Sequence, residues 1–204
     1  MSHRLSIRAH YERFPVSVKG AFVLRAADGD PHQVKILRAQ AAGLAGEGER
    51  SLDLEDVTLE VAPNLDLFVP FEVPVTELGS GWYEFRCDLA IDADPVTVQP
   101  GKRFSVPWPR ATTRRGNVGV AKDLGDVRID HVDCVSDAIK VSYTGEAPAE
   151  LRFSAGGRKL PVVDTEFEAG SGKGKITAYP VLRSDVSLRI DSKGGPALDI
   201  ALPA

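Results

Sequence analysis

The segment 170–175 reads Gly-Ser-Gly-Lys-Gly-Lys, a composition that could cradle a phosphate. The nucleotide-binding motif requires a glycine, four further residues, and then Gly-Lys followed by Ser or Thr at the start of a helix. In this chain Ala169 occupies the position of the first glycine, and Ile176 follows Lys175 at the start of a predicted strand. We therefore predict a solvent-exposed hairpin loop here.

Histidine side chains could bind a metal if they converged on one point. The chain contains His3, His10, His32 and His131. None of them has the close spacing that usually brings two imidazoles to one ion. His131 and Asp133 would share one face of a strand, but alternation does this to any residues two apart. We predict no metal site.

Paired carboxylates could act as acid and base in glycoside hydrolysis. Each pair in this chain falls in a predicted turn or on the polar face of a strand, where acidic residues are expected without catalysis. The pair Asp92 and Asp94 also lacks the ligand series of a calcium loop. No serine is framed as Gly-x-Ser-x-Gly. We predict that the chain is not an enzyme and uses no cofactor. The pairs are Asp28 with Asp30, Asp53 with Glu55, and Asp92 with Asp94.

Tryptophan and arginine residues are better candidates for binding. Basic residues crowd around Trp108, and such a combination can bind an anion or stack on a sugar or a base. Alternatively, Trp108 packs at a joint between domains and the arginines solvate it. Trp82 would face outward if Tyr83 faces the core, and the same two alternatives apply. The predicted binding residues are Trp82, Trp108, Arg110, Arg114 and Arg115.

Short strands must position these residues. Apolar residues alternate with polar ones, most clearly at Leu65, Leu67, Val69, Phe71 and Val73. A period of two is typical of a strand with one buried face, and regularly spaced turns between such runs indicate a sandwich or barrel. The chain is therefore predicted to be all-β. The predicted strands cover 4–11, 17–25, 33–39, 57–62, 66–73, 82–91, 102–107, 117–121, 126–133, 138–144, 149–154, 159–166, 174–179, 185–191 and 197–202.

Two segments depart from this pattern. Pro70 and Pro74 lie in a predicted strand, and proline lacks the donor for a ladder hydrogen bond. That strand is therefore predicted at a sheet edge or at a bulge. Segment 38–49 is rich in Ala and Gly, so it is expected to be a helical turn or a mobile loop.

Length and composition indicate two domains. The 204 residues, 43% hydrophobic and 26% charged, suit a globular chain of two sandwiches of about 100 residues each. Residues 108–116 contain proline, threonine, arginine and glycine without periodicity, which is typical of a linker. We predict an N-terminal β-sandwich at 1–107, a linker at 108–116 and a C-terminal β-sandwich at 117–204.

A turn with two glycines leads into an alternating strand at Leu-Gly-Ser-Gly-Trp-Tyr-Glu-Phe-Arg-Cys, residues 78–87. This resembles the corner of immunoglobulin-like and fibronectin-like sandwiches, in which a tyrosine bonds back to the preceding turn. Tyr83 matches that tyrosine, and Gly81 stands where the pattern often has a glycine. Phe85 stands where antibody domains have a cysteine, so the resemblance implies the sandwich type but not an antibody domain.

Residues 68–86, an apolar strand followed by Leu-Gly and an aromatic strand, resemble β-domains attached to bacterial cell-wall glycosyltransferases and teichoic-acid-type polymerases. The resemblance implies work in the synthesis of surface polysaccharide, with catalysis on another segment or chain. It assigns no catalytic residue to this sequence.

Charge and hydropathy exclude several classes of partner. A net charge of −4 lacks the basic footprint of a general nucleic-acid binder. No apolar run reaches the roughly 20 residues that span a membrane. The N-terminus has no apolar stretch like that of a signal peptide, so we expect a cytoplasmic protein. Cys87 and Cys134 fall in different predicted domains, and we expect both to be reduced.

The sequence thus favours two consecutive immunoglobulin-like sandwiches that act as a non-enzymatic binding or accessory module. Its partner would be a protein or a polysaccharide. The alternatives are an accessory β-region of an enzyme of cell-surface polysaccharide synthesis and a carbohydrate-binding module. The bias toward Ala, Gly, Arg and Asp indicates a bacterial origin.

Overall fold

The computed structural model describes residues 4–14, 16–193 and 195–203, with the backbone alone at Arg13. These residues form antiparallel β-sheets and contain no α-helix, which confirms the all-β prediction. The chain divides into two compact units, Met1–Val106 and Pro107–Ala204. No helix within the described ranges is long and apolar enough to cross a membrane.

Over its described residues the first unit has two sheets. The three-stranded sheet has the order β1-β2-β6, and the six-stranded sheet has the order β4-β3-β7-β8, with β5 also paired to β3 and β9 to β7. The elements are β1 (Leu5–Arg13), β2 (Ser17–Ala26), β3 (His32–Gly43), β4 (Glu49–Ser51), β5 (Thr58–Val61), β6 (Leu67–Pro74), a 3-10 turn (Val75–Glu77), β7 (Gly81–Ile91), β8 (Asp94–Val98) and β9 (Arg103–Val106).

An aromatic cluster joins the two sheets of this unit. Phe22 and Phe71 come from the three-stranded sheet, and Phe85 comes from the six-stranded sheet. The ring centroids of Phe71 and Phe85 are 4.7 Å apart, and those of Phe22 and Phe85 are 6.0 Å apart. The apolar faces that alternation predicts on β2, β6 and β7 therefore meet in one sandwich-like core.

Strand β6 ends the three-stranded sheet, so the edge position predicted from Pro70 and Pro74 is confirmed. The predicted corner bond is confirmed as well, because the hydroxyl of Tyr83 donates a hydrogen bond to the carbonyl oxygen of Gly79 at 2.8 Å. Leu65 differs from its prediction. It is 64% exposed because it precedes the first residue of β6 and has no sheet face to cover it.

The expectation of a helical turn or mobile loop at 38–49 is wrong over its first half, because β3 continues to Gly43. Ala39 and Ala41 are fully buried and pair with Cys87 and Phe85 of β7. A β-bulge between Ile36 and Arg38 interrupts the alternation of inward and outward side chains, which then resumes along β3. Small side chains weaken the sequence signal for a strand, yet here they fill the core beside large neighbours.

The second unit likewise has two sheets over its described residues. The five-stranded sheet has the order β10-β11-β12-β16-β15, and the four-stranded sheet has the order β14-β13-β17-β18. Buried apolar side chains come from both sheets. The strands are β10 (Gly116–Leu124), β11 (Val127–Cys134), β12 (Ile139–Gly145), β13 (Leu151–Ala155), β14 (Arg158–Leu160), β15 (Val162–Glu168), β16 (Lys173–Ala178), β17 (Ser187–Ser192) and β18 (Ala197–Ala201).

The single strand predicted at 159–166 is two strands in the structure. Strand β14 pairs with β13 in one sheet, whereas β15 pairs with β16 in the other. Pro161 lies between them and lacks the N–H that an uninterrupted ladder requires. The chain therefore changes sheets at this proline.

The loop predicted at 170–175 overlaps strand β16, which begins at Lys173. Gly174 pairs with Tyr143 on one side and with Phe167 on the other. The two aromatic rings stack with centroids 6.3 Å apart, and a Cβ atom at Gly174 would overlap the ring of Tyr143. Glycine is thus required inside this strand because the Tyr143 ring covers its backbone.

Candidate functional site

The predicted binding residues belong to different units. Trp82 lies on β7 of the first unit, and Trp108 and the three arginines lie before β10 in the second. Trp108 is half-buried, and its ring contacts Tyr179 edge to face with centroids 5.5 Å apart. The main-chain N–H of Trp108 donates to the carbonyl oxygen of Ser136 at 3.2 Å. The Trp108 ring is thus packed on Tyr179 within the second unit, and part of its surface remains exposed.

Arg114 holds the main chain of the second unit. Its Nε and Nη1 atoms donate to the carbonyl oxygens of Asp185 and Pro203, each at 2.5 Å. Next to it, Thr113 is buried and forms an antiparallel bridge with Leu182. These contacts lie within 108–116, the segment predicted as a linker. Since the donors of Arg114 are used internally, this guanidinium is poorly placed to bind a ligand.

Asp185 is the centre of this arrangement. The sequence pattern does not predict a role for it. Its side chain is 4% exposed and accepts hydrogen bonds from Arg158 Nη2 and from the main-chain N–H of Leu182, both at 2.7 Å. Pairing with Arg158 offsets the cost of burying this carboxylate. Arg110 and Arg115, in contrast, are exposed.

The second predicted tryptophan lies on the outer face of the six-stranded sheet. Tyr83 and Phe85 point into the core, so the residues that alternate with them on β7 point outward. We call the outward-facing patch on β3, β7 and β9 the Trp82 face. It consists of Arg38, Gln40, Ala42, Trp82, Glu84, Arg86, Asp88, Arg103 and Ser105; of these, Gln40, Ala42 and Ser105 are buried and Trp82 is half-buried.

Glu84 is a largely enclosed charged side chain on the Trp82 face. It is 13% exposed, and its Oε1 atom accepts from both Nε and Nη2 of Arg86 at 3.0 and 2.9 Å. Arg103 approaches Oε2 of the same carboxylate at 3.8 Å from the other side. The two arginines therefore fix a planar carboxylate next to Trp82.

Gln40 lies beside Arg86 across the strand pair β3–β7. The residue is 7% exposed, and its Oε1 atom is buried with no hydrogen-bond partner among the described residues. An unpaired buried acceptor of this kind costs about 1–3 kcal/mol. Because a fold seldom keeps such an acceptor, Gln40 marks this part of the face as functionally unusual.

A carboxylate–histidine–carboxylate cluster in the first unit was also missed. His32 is 6% exposed, and its Nδ1 atom lies 2.6 Å from Oδ2 of Asp92 while Nε2 lies 2.9 Å from Oδ1 of Asp28. The hydrogen bond with Asp28 and then that with Asp92 raise the pKa of His32. The same contacts with His32 lower the pKa of both carboxyls. Both ring nitrogens are occupied, so the cluster is a structural clamp.

The spacing from Asp28 to His32 could have suggested a local contact, but nothing near them in the sequence points to Asp92. The Asp92–Ala93 pair forms the turn between β7 and β8, with φ of 50° and 72°. Two positive φ values give a tight hairpin turn whose twist suits the strands. This turn places Asp92 over His32.

The other histidines considered as metal ligands do not form a metal site among the described residues. His131 does contact Asp133, at 3.4 Å from Nε2 to Oδ2, and it also contacts Ser142 at 3.1 Å. The described ranges contain no group of three or more His, Cys, Asp or Glu side chains able to hold a metal. His3 lies outside the described residues.

No protein-family model matches this chain, and no curated protein matches it either.

Proposed function

We propose that this chain is a non-catalytic binding module that holds its partner on the Trp82 face. The observation that carries the proposal is the row of Trp82, Glu84 and Arg86 along the outer side of β7. Tryptophan and arginine are enriched among the residues that contribute most to binding. Same-face residues on a strand are about 7 Å apart, a spacing that suits an extended chain laid along the sheet.

The immunoglobulin-like or fibronectin-like type is part of this proposal. The bond from Tyr83 to Gly79 and the paired antiparallel sheets support it. This type of sandwich presents ligand sites on strand faces or loops, and the fold alone implies no ligand. A bacterial origin, a cytoplasmic location and a role beside an enzyme of surface polysaccharide synthesis remain predictions from the sequence.

A second candidate is a protein-binding surface around Trp108. The half-buried ring against Tyr179 and the exposed side chains of Arg110 and Arg115 favour it. The use of Arg114 in main-chain hydrogen bonds counts against the complete set of predicted arginines.

Affinity capture from an extract of the cells that express the chain tests both candidates. The baits are the full chain, Trp82→Ala, Trp108→Ala and the control Phe68→Ala. Phe68 is an aromatic residue that is 61% exposed on β6 of the other sheet. Both proteins and carbohydrates in the captured material are measured.

We expect Trp82→Ala to lose the partner while Phe68→Ala and Trp108→Ala retain it. Loss with Trp108→Ala alone would move the site to the second unit. Equal capture by all four baits would overturn the proposal, provided that each variant unfolds at the same urea concentration as the parent.

A further inference from the structure

The second unit carries opposite charge at its two ends. Strands β11 and β12 pair from Val127 and Gly145 at one end to Cys134 and Ile139 at the other, so the turns that follow these two strands lie at opposite ends of the unit. One end is rich in arginine, and the other holds a cavity lined by carboxylates. We infer that the arginine-rich end of one molecule binds in this cavity of a second copy of the chain.

The arginine-rich end is built from two neighbouring turns. The N–H of Thr112 donates to the carbonyl oxygen of Pro109 at 2.9 Å, which places Arg110 within the first turn. The N–H of Arg183 donates to the carbonyl oxygen of Thr112 at 3.0 Å, so the second turn lies beside the first. Main-chain hydrogen bonds therefore hold the two arginines on neighbouring, fixed segments.

Positive charge at this end is not neutralised. Its turns, at 107–115, 135–138, 156–158 and 179–186, contain five arginines and two aspartates. Asp185 is buried and already paired with Arg158. Arg110, Arg115 and Arg183 are exposed, and among the described residues none of the three has an ion pair or a side-chain hydrogen bond. The five arginines are Arg110, Arg114, Arg115, Arg158 and Arg183, and the two aspartates are Asp137 and Asp185.

The opposite end contains a cavity of about 820 Å³ between the turns that join β10 to β11, β12 to β13 and β17 to β18. The buried residue Leu124 contributes to its lining. Asp126, Glu146 and Glu150 also line it, and all three are exposed. Lys193 pairs with Glu150 at 2.7 Å, whereas Asp126 and Glu146 have no partner for their side chains among the described residues. Two carboxylates of the cavity are thus free to receive a cation.

The two ends are complementary in charge and in form. One presents exposed guanidinium groups on turns, and the other is a recess of the size usual for a binding pocket. Guanidinium and carboxylate groups form strong planar pairs, and opposite charges also speed the encounter. Every copy of the chain carries both surfaces. Because the surfaces differ, the contact is head-to-tail and can extend into an open row of molecules. The Trp82 face takes no part in it.

Sedimentation of the full chain tests this inference. A contact limited to one end of a domain is small, so we expect a weak association in which the mean mass rises between about 5 and about 500 µM protein. Raising sodium chloride from about 50 to about 500 mM should largely abolish the rise, because salt screens exposed charges. A chain that stays monomeric at low salt over this range would overturn the inference.

Two neutralised variants test the surfaces themselves. One combines Arg110→Gln with Arg183→Gln, and the other combines Asp126→Asn with Glu146→Gln. Each variant alone should remain monomeric, because each lacks one of the two surfaces. An equimolar mixture should form a dimer and nothing larger, because each pair of molecules then holds one intact surface of each kind.

The matched control combines Lys175→Gln on β16 with Arg189→Gln on β17. It removes two positive charges from strands that run between the two ends, and it should associate like the parent. If a neutralised variant associates as strongly as the parent, or if the mixture stays monomeric, the two ends do not bind each other and the inference fails. Neither result bears on capture through the Trp82 face, which Trp82→Ala tests separately.

Discussion

The Nε atom of Arg114 donates to the carbonyl oxygen of Asp185 at 2.5 Å, across a sequence separation of 71 residues. The same guanidinium reaches the carbonyl oxygen of Pro203 through Nη1. One side chain thus joins the segment before β10 to the turn before β17 and to the end of the chain. A residue whose sequence context suggests ligand binding has a structural task here.

Replacing Arg114 should weaken the second unit. Arg114→Ala leaves two carbonyl oxygens without their charged donor, which should lower the free energy of unfolding by about 1–3 kcal/mol. The neighbouring variant Arg115→Ala removes an exposed arginine and should change it by less than about 0.5 kcal/mol. Urea denaturation followed by circular dichroism measures both. Equal midpoints for the two variants would show that the hydrogen bonds of Arg114 do not contribute.

Gly174→Ala should destabilise the second unit by about 1–3 kcal/mol, the usual cost of overpacking a core. The new methyl group would overlap the Tyr143 ring, which is buried and stacked on Phe167. Gly170→Ala is the control, because a Cβ atom there meets nothing within 4 Å. Thermal unfolding compares the variants. A similar shift of the midpoint for both would mean that the Tyr143 ring moves aside freely.

The His32 clamp should make the stability of the first unit depend on pH. Its pKa is raised from 6.5, so the stabilisation from the imidazolium is complete below about pH 6.5 and is lost as pH rises through the folded pKa. The pKa values of Asp28 and Asp92 are lowered from 3.8. Their contribution is present above about pH 3.9 and is lost as pH falls through the folded pKa.

The clamp is therefore strongest between about pH 4 and about pH 6.5. Urea unfolding of the parent and of His32→Gln across this range and up to about pH 9 should show the difference between them shrinking as pH rises. His10→Gln, an exposed histidine on β1, serves as the control. A constant difference between the parent and His32→Gln at every pH would contradict a charged clamp.

Both cysteines should resist modification in the folded protein. Cys87 and Cys134 are buried free thiols, as expected from their placement in different domains. Burial raises the pKa of Cys87 to about 12 and that of Cys134 to about 11, so almost no thiolate forms at neutral pH. Iodoacetamide should label neither until denaturant is added, as mass spectrometry would show. Rapid labelling of the native chain would disprove the buried placement.

Much of the strand pattern can be derived from the sequence because alternation records which face of each strand is buried. Ile139, Val141 and Tyr143 alternate with polar residues along β12, and all three are buried. Val186 continues the alternation of Leu188 and Ile190 in the sequence, yet it is 75% exposed because it precedes β17. Periodicity therefore predicts the interior of a strand better than its ends.

The candidate site could be predicted only in part. The outward direction of Trp82 follows from the inward direction of Tyr83, which a period of two requires. The pairing of Arg86 with Glu84 follows from the same spacing. Gln40 could not be placed beside them, because it lies in the Ala-rich part of β3 that carries no clear strand signal.

The sequence by itself determined the all-β class, the edge position of β6 and the corner at Tyr83, since each depends on residues close together in the chain. Only the tertiary structure decided that Arg114 is bound to Asp185, that His32 is clamped by Asp92 and that Gln40 lies beside Arg86. Sheet pairing brings these residues together from distant parts of the sequence. Alternation specifies which face a side chain occupies, but strand order and register specify its neighbours.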